Sequence, residues 1–283
     1  MMEIRIENTN HCGYKCMFCP REKMTREQGI MPVDDFILVL GRIKEFYGDY
    51  SQQIDLHGYG EPLLDKSLPE KVALARAAFP HAKLHLISTL GVKVGRAYLE
   101  ALVNNGLDTM MVSLYASTKE EYKKITNTHN LEVVLENLHL IGELTKYQRK
   151  TIITVMYNIE GNIRLNGAAK QHCDFIANLC NNYYFFMHEY NSHNYGRGRE
   201  YNTATKNSIC SVVNGARKNI IQVTWDLSTI PCCFDFNAEM AFGDLRKSGF
   251  GEIFASTTYR DFIDKLSRCD YATLPSCQNC DRR

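Results

Sequence analysis

Along the first two-thirds of the chain, short apolar β-rich runs alternate with longer stretches whose apolar residues recur at helical spacing. Strand-like runs occupy residues 3–7, 54–58, 83–88, 109–114, 151–157 and 183–188. Several are apolar nearly throughout, as parallel strands covered by helices on at least one face should be. A helix is expected to start at residues 32–35, where proline and acidic residues favour a start, and to run through Phe36, Leu40, Ile43 and Phe46. Further helices are expected at 70–78, at 96–104 (closed by Gly106), at 132–146 and at 168–181. The repeated strand–helix order implies a parallel sheet with right-handed crossovers. Six units are too few to close an eight-stranded barrel, so the expected fold is α/β, a partial (β/α)6 TIM-like barrel.

The rhythm breaks near residue 195. HNYGRGR (193–199) reads as a connection, followed by a strand-like run at 220–224, a helix around 259–266 and an irregular ending. We therefore expect a core domain over 1–196 and a small second domain over 197–283, rich in cysteine and poor in large apolar residues. Across 283 residues, 33 basic and 32 acidic side chains leave a formal charge of +1, which argues against a nucleic-acid or anionic-membrane binder. The longest apolar runs are strand-length, too short to span a bilayer. The opening MMEIRIENTN has no signal-peptide core, so a reducing, cytoplasmic location is expected.

Eleven cysteines are the anomaly, and they cluster. Cys12, Cys16 and Cys19 follow the first expected strand, at the edge where parallel α/β folds collect active-site groups. Three thiolates are one short of a structural zinc site or a closed iron–sulfur cube. A 4Fe-4S cube held by three cysteines leaves one iron open, and the amino and carboxylate groups of a methionine moiety can chelate it. Zinc completed by His11 or a distant cysteine is the alternative.

The motif CGYKCMFCP resembles the CxxxCxxC signature of the radical S-adenosylmethionine (SAM) superfamily, including the aromatic Phe18 before the third cysteine. The resemblance implies that Cys12, Cys16 and Cys19 bind a 4Fe-4S cluster that reduces bound SAM to a 5′-deoxyadenosyl radical. Gly60, Glu61 and Pro62 match the family's GEP motif, where backbone and carboxylate meet the SAM amino group. Ser88 and Thr89 end the third strand where SAM contacts are common, although the usual TNG is TLG here. Ser113 matches a serine that contacts SAM in many members, beside the simpler reading of a strand-end serine bonded to local backbone.

The segments IPCCFDFNAEMAFGDL, EIFASTTYRDF and CQNC resemble the family's SPASM/twitch extension. The resemblance implies an auxiliary 4Fe-4S cluster on Cys210, Cys232, Cys277 and Cys280, with zinc again the alternative. Neighbours on a strand face opposite sides, so only one of Cys232 and Cys233 should reach the cluster. The sequence ends soon after Cys280, which suggests the shorter, single-cluster twitch form, and the first strand starts too early for an N-terminal leader-peptide domain.

Compact aminocyclitol-dehydrogenase members share this size and PC…DF…CxxC ending. By that analogy the expected reaction is oxidation of a sugar or aminocyclitol-like alcohol, with the auxiliary cluster taking the second electron. Epimerisation, with Cys233 or Cys269 as hydrogen-atom donor, is the second reading, and modification of a short peptide the third. A non-catalytic metal-binding module comes last. A flavodoxin- or ferredoxin-type reductant is implied. Tyr59, Tyr115, Asn158, Glu189 and Tyr190, at strand ends, are candidates to hold substrate. His57 reads as a hydrogen-bonded core histidine within a strand. Arg197 and Arg199 read either as an anion grip or as decoration, and Cys173 and Cys180 as small buried hydrophobes.

Overall fold

The computed structural model describes residues 2–147, 151–157, 168–190, 193–196, 198–199, 210 and 219–281. Asn158 and Arg197 lie outside them. Strands β1 (Met2–Ile6), β2 (Gln53–Asp55), β3 (Lys83–Ser88), β4 (Thr109–Ser113), β5 (Ile152–Tyr157) and β6 (Phe186–Glu189) pair in parallel, in chain order. Helices α1 (Val33–Tyr47), α2 (Leu68–Ala78), α3 (Arg96–Asn104), α4 (Lys119–Thr126), α5 (Leu131–Thr145) and α6 (Ala168–Tyr183) lie between them. The expected partial barrel is present.

Two differences have local causes. The sixth strand begins at Phe186, not at residue 183, because Tyr183 closes α6 and Tyr184 takes a left-handed conformation (φ 60°) that ends the helix. Helix α4 was not foreseen. Its signal is Thr118 at the N-cap: the hydroxyl accepts from the Glu121 amide (3.4 Å) and donates to the Glu121 carboxylate (3.1 Å).

The C-terminal region is less separate than its composition suggests. Strand β7 (Asn219–Val223) runs parallel to β1 on its free side, and β8 (Ser228–Ile230) and β9 (Gly243–Asp244) add antiparallel, making one nine-stranded sheet. Helices α7 (Phe250–Ala255) and α8 (Thr257–Ser267) follow, with Phe250 and Phe254 packed against Phe46 of α1. No helix among the described residues is long and apolar enough to cross a membrane.

Alternation sorts the strands into two faces. Ile4, Ile6, Ile54, Leu56, Leu84, Leu86, Met110, Val112 and Val155 are fully buried, in one apolar cluster with Phe36, Val39 and Ile43 of α1, Leu99 and Leu102 of α3, and Val134 and Leu138 of α5. At about 25 cal/mol per Å² of buried apolar surface, such a cluster is the main force holding helices on the sheet. The alternate residues form a polar row in register across five strands: Gln222, Arg5, Asp55, His85 and Thr109. Arg5 pairs with Asp55 (3.3 Å), and His85 Nδ1 lies 2.8 Å from the Thr109 hydroxyl. One register step on, the buried Glu7 carboxylate accepts from Arg26 (2.6 Å) and from the backbone amides of Tyr59 (3.0 Å) and Trp225 (3.1 Å). Glu7 thus joins the ends of β1, β2 and β7.

Candidate active site

The loop carrying Cys12, Cys16 and Cys19 leaves the C-terminal end of β1 and is held mainly by its backbone. Lys15 and Met17 amides donate to the carbonyls of Thr126 and Ile125 at the end of α4 (3.1 and 2.9 Å). Arg21 donates twice to the Asn10 carbonyl (3.0 and 2.8 Å) and once to that of Cys12 (3.3 Å). Arg199 donates to the carbonyls of Cys16 (3.1 Å) and Cys19. The arginine that sequence left open between anion grip and decoration is therefore a clamp on the cysteine loop.

Burial pushes the Cys12 thiol up to about 12, with Glu61 adding to the rise. Burial and the neighbouring thiols push Cys16 well up, and burial raises Cys19 against the pull of Arg21 and Arg199. Close thiols in a dry pocket hold their protons until a metal displaces them, as expected of a site completed by metal. Among the described residues no three His, Cys, Asp or Glu side chains converge on one ion-sized position. A cubane asks for less convergence, since each thiolate binds its own iron.

Glu61 follows β2 and closes the site. Its Oε1 accepts from the Ser88 hydroxyl (2.6 Å) and the Leu63 amide (3.2 Å), and its Oε2 from the Thr89 amide (2.7 Å) and hydroxyl (2.6 Å). Four donors fill the acceptor positions of a carboxylate. Burial raises the Glu61 pKa while these bonds oppose the rise. Glu61 is thus a fixed, dry charge near Cys12 and a clamp between β2 and β3. Gly60 is required, since a Cβ there would lie 2.3 Å from the Thr9 carbonyl oxygen and 2.5 Å from that of His11. Pro62 is buried and starts a short 3-10 turn, Pro62–Leu64. In TLG, Leu90 takes a left-handed φ of 54°, and a Cβ on Gly91 would strike the Tyr14 hydroxyl.

One cavity gathers most of the expected residues: Cys12, Cys16, Cys19, Phe18, Gly60, Glu61, Ser88, Thr89 and Ser113 line it, with Tyr59 and Tyr115. Phe18 packs edge-on against Tyr115, their centroids 4.5 Å apart, and Ser113 lines the cavity beside them. Tyr190 packs against both rings. Glu189, at the end of β6, is not part of the described lining. The Tyr59 hydroxyl is committed, donating to the backbone carbonyl of Cys233, so its role here is to tie the barrel to the C-terminal cysteines. His57 corrects the sequence reading. Strand β2 ends at Asp55, and His57 stands beyond it on the cavity wall with a buried Nδ1 that has no hydrogen-bond partner among the described residues.

The back cysteines fall into two groups. Cys232 lies within electrostatic reach of Cys277, Cys280 and Cys233, and burial followed by these neighbours pushes its thiol well up. Cys280 and Cys277 form a turn closed by the Cys280 amide on the Cys277 carbonyl (3.2 Å). Cys233 lies within electrostatic reach of Arg5 of the polar row as well as of Cys232. Cys210 lies beside Tyr271 and Cys269, and Cys269 occupies a left-handed position (φ 58°) after α8. Cys180 is buried and Cys173 partly so.

Comparison with known proteins decides the family. The description "Radical SAM superfamily" matches residues 6–162, more than half the chain. The chain belongs to this superfamily. An iron–sulfur cluster-binding domain of the SPASM type matches residues 210–281. Its cofactors are accordingly SAM, a SAM-binding 4Fe-4S cluster and an auxiliary cluster. The S-adenosyl-L-methionine-dependent 2-deoxy-scyllo-inosamine dehydrogenase of Niallia circulans is 20% identical over 279 residues, covering 98% of this chain and 92% of that protein. A GTP 3′,8-cyclase of Chlorobaculum tepidum is 33% identical over 138 residues, covering 48% of this chain and only 39% of the cyclase. The crystal structure of BtrN in complex with AdoMet and 2-DOIA superposes with TM-score 0.67 at 19% identity, over 99% of this chain and 92% of that one. The radical SAM fold is shared, and this chain is a radical SAM enzyme.

Proposed function

We propose that Cys12, Cys16 and Cys19 hold the SAM-cleaving cluster, that Cys210, Cys232, Cys277 and Cys280 hold the auxiliary one, and that residues 197–283 form its domain. The substrate would be an alcohol of a sugar or aminocyclitol-like molecule, oxidised to a ketone, as the full-length relative's name suggests. Bound there, the cofactors supply a 5′-deoxyadenosyl radical that removes the carbinol hydrogen and an oxidised cluster that takes the second electron. The observation that carries this reading is the connection between the two cysteine groups. Tyr59 lines the cavity of the front cysteines and bonds the Cys233 carbonyl next to Cys232, so a path of two residues leads from the substrate site to the auxiliary thiols. Phe18, Tyr115 and Tyr190 supply apolar walls that exclude water from a reactive radical. Ser113 and Thr89 contribute polar edges facing SAM. Eleven free cysteines suit a reducing cytoplasm, where a flavodoxin- or ferredoxin-type protein would be the electron donor.

The test is anaerobic reconstitution, then incubation with dithionite, SAM and 2-deoxy-scyllo-inosamine. A product lighter by two hydrogens, formed with 5′-deoxyadenosine, supports the proposal. 5′-Deoxyadenosine without ketone rejects it. Epimerisation is the second reading, with Cys233, within electrostatic reach of Arg5, as the hydrogen-atom donor. It would leave mass unchanged and bring in deuterium from heavy water.

A further inference from the structure

The two cysteine groups are far apart in the chain, yet the connection between barrel and C-terminal region touches both. Its described residues are 193–196 and 198–199. One end rests on the turn that carries Cys277 and Cys280. Asn194, only 1% exposed, donates from Nδ2 to the Asn279 carbonyl (2.6 Å) and from its backbone amide to the Asp281 carboxylate (2.9 Å). Its Oδ1 accepts from the Gly196 amide (2.9 Å). Gly196, at φ 71°, runs so close to the turn that a Cβ would lie 2.2 Å from the Ser276 carbonyl oxygen. Ser276, Asn279 and Asp281 are the sequence neighbours of Cys277 and Cys280.

The other end rests on the front loop. A Cβ on Gly198 would lie 2.4 Å from the Pro20 side chain, next to Cys19. Arg199 donates to the carbonyls of Cys16 (3.1 Å) and Cys19, while its own amide donates to the Asn194 carbonyl (2.8 Å). Between the ends, Tyr195 lines the cavity of the front cysteines, and its hydroxyl lies 3.2 Å from that of Tyr190. The Tyr195 ring stacks on His193, which stacks in turn on Phe234 beside Cys233. The left-handed backbone of Tyr195 (φ 50°) is disfavoured for a residue with a Cβ and persists only where neighbours fix it. In this irregular stretch, fixing contacts come from Asn194 and Gly196 on the C-terminal turn. A cysteine turn of that kind takes its order from the metal it holds.

We propose that Asn194 is a positioning residue that makes the SAM site depend on the auxiliary site, a role that rests on the assignment of Cys277 and Cys280 to the auxiliary cluster. A turn ordered around that cluster fixes Asn194. Asn194 then seats Tyr195 in the cavity wall and Arg199 on the carbonyls of Cys16 and Cys19. Because Arg199 grips backbone and not thiols, releasing this strap loosens the SAM site without emptying its cluster.

The test compares anaerobically reconstituted wild type with Cys232→Ala, Asn194→Ala and their combination, with SAM as the only ligand. Both single variants should exchange the amide hydrogens of the peptide covering 193–199 about ten-fold faster, read by mass spectrometry. Both should bind SAM about five-fold or more weakly by equilibrium dialysis. Asn194→Ala should keep about eight irons per chain and Cys232→Ala about four. The combination should bind SAM no more weakly than either single variant, since both release the same strap. Gly196→Ala, whose Cβ would push the strap off Ser276, should reproduce Asn194→Ala through a second break. Wild-type exchange across β3 and β4 separates these effects from unfolding. Wild-type exchange at 193–199 and wild-type SAM affinity in Asn194→Ala and Gly196→Ala overturn the proposal, as does additive weakening in the combination. Cys232→Ala that keeps about eight irons rejects the ligand assignment instead, and Asn194→Ala and Gly196→Ala then decide by themselves whether the strap positions the SAM site.

Discussion

Thr89 donates to the same Glu61 oxygen through both its backbone amide (2.7 Å) and its hydroxyl (2.6 Å). The end of β3 is thereby bolted to the loop after β2. Removing the hydroxyl as Thr89→Val leaves a buried carboxylate oxygen with one donor fewer, at a cost of about 1.5–3 kcal/mol for a bond to a charged group. Denaturant unfolding under argon should show that loss together with weaker SAM binding by equilibrium dialysis. An unaltered midpoint would mean that the second donor is redundant.

Glu7 is a sharper case, because its carboxylate meets Arg26 in a buried pair. Glu7→Ala strands the Arg26 guanidinium and two backbone amides, and loss of one partner of a buried pair costs about 3–5 kcal/mol. Thermal unfolding should fall accordingly. Glu7→Gln, which keeps an acceptor, should fall by less.

The two cysteine groups should lose iron independently. Cys16→Ala should reduce about eight irons per chain to about four and abolish SAM cleavage, while Cys232→Ala should spare the front cluster. Iron analysis and electron paramagnetic resonance of each variant provide the check. If Cys210→Ala retains a full complement, the fourth auxiliary ligand is another group, and Cys269 beside Cys210 becomes the first residue to test.

Tyr59→Phe removes only the hydroxyl that reaches the Cys233 carbonyl. Stability should drop by about 1 kcal/mol. A chelator should then strip auxiliary iron faster than front-site iron, measured as the rate of colour loss. Equal stripping rates would detach Tyr59 from the auxiliary site.

Stability should also fall on mild acidification. Burial is the first cause lowering His57, His85 and His172, so each folded pKa lies below its unfolded value of about 6.5. The unfolded chain then binds more protons as pH drops. Their contribution is complete above about pH 6.5 and is lost as pH falls toward the folded values, each adding a slope of at most about 1.4 kcal/mol per pH unit. Melting temperatures between pH 7.5 and 5.5 should decline, and His172→Gln should flatten the curve.

Much of this molecule is local and therefore readable. Strand and helix periods, the CxxxCxxC loop after β1 and the GEP turn each depend on a few consecutive residues, and the fold brings the two motifs to one cavity. Even α4 had a signal, in the Thr118 N-cap. What sequence could not supply is pairing between distant residues. Nothing in the run 219–223 says that it lies against β1 instead of starting a separate sheet. Nor does Arg5 announce Asp55 on one side and Gln222 on the other. His57 shows the reason most plainly. Its type and spacing fit a satisfied core histidine, and only the early end of β2 sets it beside the cavity, its Nδ1 buried without a hydrogen-bond partner among the described residues. Secondary structure and motif chemistry follow from neighbours along the chain. Charge state and open valence follow from neighbours in space, which the folded structure alone brings together.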